Sequence, residues 1–382
     1  ARAYRFKKGS GFPVSVPSVD LVEIGAGGGS LARVDQFGLL KVGPDSAGAD
    51  PGPASYGNGG TIPAVTDADV VLGLLDPAGF LGGDMPLDRS LAEGAAQTVA
   101  DGLGLEMLDT AAGIHEVVNQ NMAAAASMHG VEMGIDLRGI PLIAFGGAGP
   151  VHACGVAELL QSDRVIFPVN ASVLSAFGTL VSPVRIDLAR SMPRLIDKVT
   201  DADRDALLDD LRDEGRRVLR AAGVPDDAIN FRYGVDARYA GQGNEITIWV
   251  GEGETWPASA AEVTAAFETE YRRIYGMTIP DVAVEAITWR LSASATTSVV
   301  EPDDSIADHE GDVTPKSFRP MVFSRGADAI EAPVYDRASL GAGATFAGPA
   351  VVEERETTSV IRPGWNVEVA ADGSLIASKK SS

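Results

Sequence analysis

The sequence predicts an α/β protein, and three observations carry that prediction. Residues 141–167 read as a strand, a glycine turn, a helix and a second strand, the pattern of a βαβ unit. Helix-like and strand-like periodicities alternate through the rest of the first 300 residues. Residues 301–382 break into short strands separated by Gly and Pro turns. At 382 residues the chain is long enough for two or three domains. The expected divisions are 1–190, which holds the glycine motifs, an α+β region over 191–300, and a small β-rich cap over 301–382.

The elements follow in order. Glu23–Ser30 (E-I-G-A-G-G-G-S) is a glycine turn, and L-A-R-V-D, Q-F-G and L-L-K-V-G-P after it alternate around a reverse turn, which predicts a hairpin. No helix follows these glycines. A P-loop or dinucleotide turn needs a helix N-terminus at that point to hold phosphate, so both readings lose most of their weight. An extended Pro/Gly loop runs over Gly43–Thr66, then a helix near Leu87–Leu103, then an Ala-rich helix over Ala111–His129. The last places Ile114, Val117, Val118, Met122, Ala125 and Met128 on one side, which predicts packing against a sheet.

Pro141–Phe145 is an apolar strand, Gly146, Gly147, Ala148, Gly149 and Pro150 form a turn, Val151–Leu160 is helical, and Arg164–Phe167 is the next strand. Here a helix N-terminus does point at the glycines, so this turn is expected to hold an anionic or nucleotide ligand. Asp201–Ala222 reads as a solvated helix and Ile229–Val250 as strands, before a helix opened by the capping box of Ser259 and Glu262. A polar linker from Pro302 leads to strands punctuated by G-A-G, P-G-W and A-D-G-S turns.

Acidic residues number 53 against 31 basic ones, a net charge near −22, which argues against nucleic acid or an anionic membrane as the main partner. No run of 18 apolar residues and no signal peptide is recognisable. Cys154 is the single cysteine, which excludes an intramolecular disulfide and fits a cytoplasmic protein.

Taken together, the motifs resemble the hydantoinase A and 5-oxoprolinase family of ATP-dependent enzymes, which also includes subunits of acetone and acetophenone carboxylases. The resemblance rests on Gly25–Ser30 (G-A-G-G-G-S), Val42–Pro53 (V-G-P-D-S-A-G-A-D-P-G-P), Tyr56–Gly60, Val65–Asp69 (V-T-D-A-D) and Ala144–Ala153 (A-F-G-G-A-G-P-V-H-A). Weaker echoes lie at Val173–Gly178, Arg238–Gln242, Arg273–Gly276 and Gly348–Glu354, so the likeness covers nearly the whole chain.

The resemblance implies an actin-like ATPase core using ATP and Mg²⁺. In that family two D-x-G-G-T-type loops bind phosphate upstream of G-A-G-G-G-S; neither loop occurs in this sequence, and Ala1–Ser10 resembles the stretch just after the second. The expectation is therefore the C-terminal part of a longer polypeptide or one half of a split subunit, with the Mg²⁺ aspartates supplied mainly by the missing half. Implied partners are that N-terminal half, a hydantoinase B-type subunit, and a small cyclic amide or ketone. Three activities stay open: an ATP-dependent amidohydrolase acting on a hydantoin, oxoproline or lactam, a subunit of a ketone carboxylase, and a non-catalytic scaffold half. The first is preferred.

Each candidate site residue carries a structural alternative. Gly27, Gly28, Gly29 and Ser30 are expected to hold a substrate carbonyl or transferred phosphoryl, or else to form a bulge between strands. Gly146, Gly147, Ala148 and Gly149 are expected to contact nucleotide, or else to allow close helix packing. Asp67 and Asp69 either face a substrate or metal-bound water, Asp67 being the catalytic candidate, or cap the segment Val70–Leu75.

No protein metal site is expected. His152 and Cys154 lie two apart on one helix and face different sides, and His115 and His129 are fourteen positions apart on another. Arg238, Tyr239, Gln242 and Glu245 are expected at an interface between domains. No G-x-S-x-G elbow or credible Cys–His nucleophile pair is present.

Overall fold

The computed structural model describes residues 21–295 and 306–379; the Ala1–Ser10 stretch and the start of the linker at Pro302 lie outside them. In chain order the strands and helices are β1 (Ser30–Val34), β2 (Leu40–Ser46), α1 (Val65–Val71), α2 (Arg89–Leu103), α3 (Met107–Met133), β3 (Leu142–Ile143), α4 (Gly149–Leu159) and β4 (Arg164–Phe167). There follow α5 (Leu174–Val181), β5 (Val184–Leu195), α6 (Asp201–Ala221), β6 (Asn230–Tyr239), β7 (Ile246–Glu252), α7 (Ala260–Tyr275) and β8 (Val284–Ala295). The chain closes with β9 (Ser317–Met321), β10 (Ile330–Asp336), β11 (Thr345–Ala347), β12 (Ala350–Glu353), β13 (Thr358–Ile361), β14 (Trp365–Val369) and β15 (Leu375–Lys379).

Among the described residues, 21–177 and 306–379 form one compact unit, and 178–295 belong to another. The stretch expected as a separate β-rich cap is therefore built into the first unit. Three of its strands complete a sheet begun elsewhere: β11, β14 and β15 extend the β4–β3 pair into the order β11-β14-β15-β4-β3, with β15 antiparallel to β4 and β3 parallel to β4. A short two-strand pair exposes its edges and hides little apolar surface, and closing β4 against β15 lets Val165, Phe167, Leu375 and Ala377 bury one another. A second sheet runs β13-β12-β10-β9, parallel only between β10 and β12.

The hairpin expected after the first glycines is the antiparallel pair β1–β2, and the βαβ reading of residues 141–167 is β3, α4 and β4. Asp88 caps α2 by accepting from Ser90 and Leu91 N–H, and Gly104 ends the helix in the left-handed conformation. Helix α3 is longer than expected and packs mainly on α1, α2 and α4 with strand β2, rather than on a sheet face. Ile114 and Val118 are fully buried, while Met128 at the far end is 63% exposed.

The other unit is the antiparallel sheet β5-β8-β6-β7 with helices α6 and α7. Phe231, Tyr233, Leu291 and Ala293 pack with Leu208 and Leu211 of α6, and Val235, Ala237 and Trp289 with Val263 and Phe267 of α7. A bulge where Asp236 pairs with Thr288 and Ala237 with Ala286 switches the inward residues of β8 from Val284 and Ala286 to Trp289, Leu291 and Ala293. The Ser259–Glu262 capping box forms as read. Within this unit Arg238 pairs with Glu285, and Gln242 donates to the Tyr271 hydroxyl.

Candidate functional site

The two glycine turns meet. A Cβ placed on Gly28 would lie 3.4 Å from Cβ of Ala148 and 2.8 Å from Oγ1 of Thr66. Thr66, in the first turn of α1, holds the Gly28 carbonyl twice, through its backbone N–H at 2.8 Å and its hydroxyl at 3.0 Å. Ser30 stitches the first turn internally: its Oγ accepts from Gly27 N–H at 3.0 Å and donates to the Gly25 carbonyl at 3.3 Å. With the Gly28 and Gly29 carbonyls taken by Thr66 and Ala47, the N–H groups of Gly28 and Gly29 have no acceptor among the described residues.

The second turn is held from behind in the same way. Thr357, buried just before β13, donates its hydroxyl to the carbonyls of Gly146 and Gly147, each at 3.0 Å, and Gly146 N–H donates to Ala171. Gly146 has φ +91°, a conformation that favours glycine. Helix α4 then begins at Gly149 with Ala148 as its N-cap, and no side chain caps it. Pro150 has no N–H and Val151 N–H donates to the Ala148 carbonyl at 3.1 Å, so the N–H groups without an acceptor among the described residues at this positive helix end are those of Gly147, Ala148 and Gly149. Beside Gly147 runs a groove lined by Phe80, Leu81, Glu354, Arg355, Glu356 and Thr357.

The glycines differ in why they are glycine. A Cβ on Gly29 would meet Oγ of Ser46 at 2.9 Å, and Gly28 is crowded by Thr66, so close packing alone accounts for both. Around Gly27, Gly146 and Gly149 a Cβ would meet nothing within 4 Å. Packing does not require glycine at Gly27 or Gly149.

Asp67 is fully buried, and its carboxylate accepts three backbone N–H groups, from Ala54 at 3.0 Å, Ser55 at 2.7 Å and Ala64 at 2.8 Å. These are the bonds of a cap and loop clamp: helix α1 starts at Val65, ahead of the Val70–Leu75 segment read from sequence, and Asp67 is its third residue. The clamp ties the Pro/Gly loop to the helix that carries Thr66.

Asp69 lies on the same helix. Its Oδ1 is 2.7 Å from Nδ1 of His115 on α3, and its Oδ2 is 3.6 Å from Nε2 of His152 in the first turns of α4. The two imidazoles stack with centroids 4.6 Å apart, and His152 Nδ1 is 3.0 Å from Oδ1 of Asn119. None of the three side chains is more than 8% exposed. Burial pushes the Asp69 carboxyl up to about 7, with His152 opposing the rise, and pushes both imidazoles down to about 4. The sequence reading compared His152 with Cys154 and His115 with His129, each pair on one helix. The fold instead brings His115 and His152 together across two helices, with Asp69 from a third. Cys154 is buried and its thiol is pushed up to about 12 by that burial, so it stays protonated at neutral pH.

Sequence reasoning missed Thr66, Thr357, Asn119 and the Asp69–His115–His152 set. Only V-T-D-A-D and P-V-H-A, already noted as motifs, carried a signal for them.

Residues 2–188 match the Hydantoinase/oxoprolinase family model and residues 199–376 match the Hydantoinase/oxoprolinase C-terminal domain. Caprolactamase subunit alpha of Pseudomonas jessenii is 34% identical over 95% of this chain and 53% of its own length. The gamma subunit of acetophenone carboxylase from Aromatoleum aromaticum is 32% identical over 95% of this chain and 51% of its own. The nucleotide-free structure of acetone carboxylase, an ATP-dependent enzyme, superposes with a TM-score of 0.79 at 27% identity, covering 93% of this chain and 52% of that one. The chain spans about half the length of the curated relatives it matches.

Proposed function

Because the chain belongs to the hydantoinase/oxoprolinase family, we propose that it forms part of an actin-like ATPase subunit that activates a cyclic amide or imide carbonyl of hydantoin, 5-oxoproline or lactam type for ATP-dependent hydrolysis. The observation that carries the reading is the meeting of two glycine turns whose N–H groups at Gly28, Gly29, Gly147, Ala148 and Gly149 have no acceptor among the described residues. An amide carbonyl resists water because attack breaks its resonance. Phosphoryl transfer from ATP to the carbonyl oxygen creates a far better leaving group, and the protein's task is then positioning and charge neutralisation.

Each turn has a role in this reading. The α4 N-terminus, with Gly146, Gly147, Ala148 and Gly149, holds nucleotide phosphate, with Mg²⁺ bridging phosphate oxygens. The Gly28 and Gly29 N–H groups face the carbonyl or the transferred phosphoryl, Gly27 leaves room for it, and Ser30 and Asp67 hold the turn and α1 in place. The unfilled space at Gly27 and Gly149 supports this fit. The matched relatives include subunits named alpha and gamma, which supports an assembly with an upstream half and a hydantoinase B-type partner.

The likeness to two ketone carboxylases favours a second reading, in which the same phosphoryl transfer activates a ketone enolate or bicarbonate. One panel separates the two. The assembled enzyme receives ATP with a lactam, a hydantoin or 5-oxoproline, and in parallel a ketone with labelled bicarbonate. Phosphate release and ring opening with a cyclic amide are expected. Fixed label with no ring opening would replace the hydrolase by the carboxylase, and neither response would leave a scaffold.

A further inference from the structure

We propose that Asp69, His115 and His152 bind a divalent transition-metal ion of the zinc class, which pins α1, α3 and α4 together behind the glycine turns. One donor atom from each side chain can be chosen so that all lie within 4.8 Å of one another, and all three residues are buried. Two imidazoles and one carboxylate suit Zn²⁺ and its neighbours in the first transition row.

The decisive observation is an orphaned nitrogen. The Asn119 carbonyl oxygen accepts at 3.0 Å from His152 Nδ1, which fixes the proton there and leaves a lone pair on Nε2. That Nε2 is fully buried, has no hydrogen-bond partner, and faces Oδ2 of Asp69 at 3.6 Å. Two lone pairs confront each other across a gap too long for a hydrogen bond. A cation between them removes the conflict and offsets the cost of a buried carboxylate. Asn119 is the positioning residue: it orients the ring without touching the ion.

The placement says what the ion does. Thr66, which holds the Gly28 carbonyl, is three residues before Asp69 on α1, and His152 is three residues after Gly149 on α4. One ion therefore fixes the helix behind each glycine turn relative to the other. Nothing in this assignment depends on the substrate or on ATP.

The test uses the assembled enzyme without substrate. Metal content is measured by inductively coupled plasma mass spectrometry for wild type, Asp69→Asn, His152→Ala and, as a control, His129→Ala. Wild type and the control should hold one more ion per chain than the two site variants, in which that ion falls at least tenfold. Asn119→Ala should weaken affinity about 10–100-fold, and Asn119→Asp should restore it. Should the site variants fail to fold, chelator-stripped wild type answers alone. Added Co²⁺ should give visible d–d absorption with histidine nitrogen ligation and raise the melting temperature. Equal metal content in wild type and folded site variants, or stripped protein that takes up neither Zn²⁺ nor Co²⁺ on histidine, would overturn the assignment.

Discussion

Asp67 shows how much one buried carboxylate can organise. It satisfies three backbone N–H groups from two separate segments at once, so removing it strands all three in a dry interior. Asp67→Ala should cost roughly 3–5 kcal/mol in chemical unfolding, Asp67→Asn somewhat less because one acceptor oxygen remains. A loss under about 0.5 kcal/mol, the scale of an ordinary surface substitution, would mean the clamp is incidental. Two residues on, Asp69 has no such saturation. Its neighbours are titratable rings, and that contrast within V-T-D-A-D separates a residue that holds the backbone from one that holds a ligand.

Residue-level roles were legible where the signal was local. Glycine clusters mark turns, since Gly25 and Gly146 take the left-handed backbone that favours glycine, and the capping box at Ser259 is spelled within four positions. The Asp69–His115–His152 set was not legible. Its members are separated by 46 and 37 positions and meet only when three helices pack, so no spacing rule on a single helix could join His115 to His152.

At the scale of elements, α1 is tied at both ends. Asp67 fixes its start, and after its end Gly73 (φ +76°) brings the chain against β9, where Arg319 donates to the Gly73 carbonyl at 2.8 Å and Val322 N–H to Leu72. A Cβ at Gly73 would run into the Pro320 carbonyl oxygen. Gly73→Ala should therefore cost at least about 2 kcal/mol, against about 1 kcal/mol for Gly104→Ala, where φ is also positive but the space is open. Melting temperatures of the two variants check this ordering, and equal losses would show that contact with β9 contributes nothing to placing α1. Helices and hairpins were readable from period and punctuation. Sheet membership was not: β15 pairs with β4 across about 200 positions, and a short strand carries no mark of its distant partner.

At the scale of the whole molecule, the family and the mixed α/β fold stand on sequence and structural likeness over nearly the whole chain, while the relatives extend to about twice its length. On the proposed reading, what this chain contributes is a pair of opposed glycine turns held by Thr66, Thr357 and the buried set behind them. The reading stands or falls on whether open space at the first turn is ligand space. Gly27 is the cleanest place to ask, because its added Cβ meets nothing within 4 Å among the described residues, whereas Gly28→Ala would disturb Thr66. The measurement is amide-dependent phosphate release from ATP by the assembled enzyme carrying Gly27→Ala, beside its ATP affinity by calorimetry. Turnover about 100-fold below wild type with ATP affinity unchanged is the predicted result. Turnover equal to wild type would contradict it and leave the glycines of the first turn as a bend between strands.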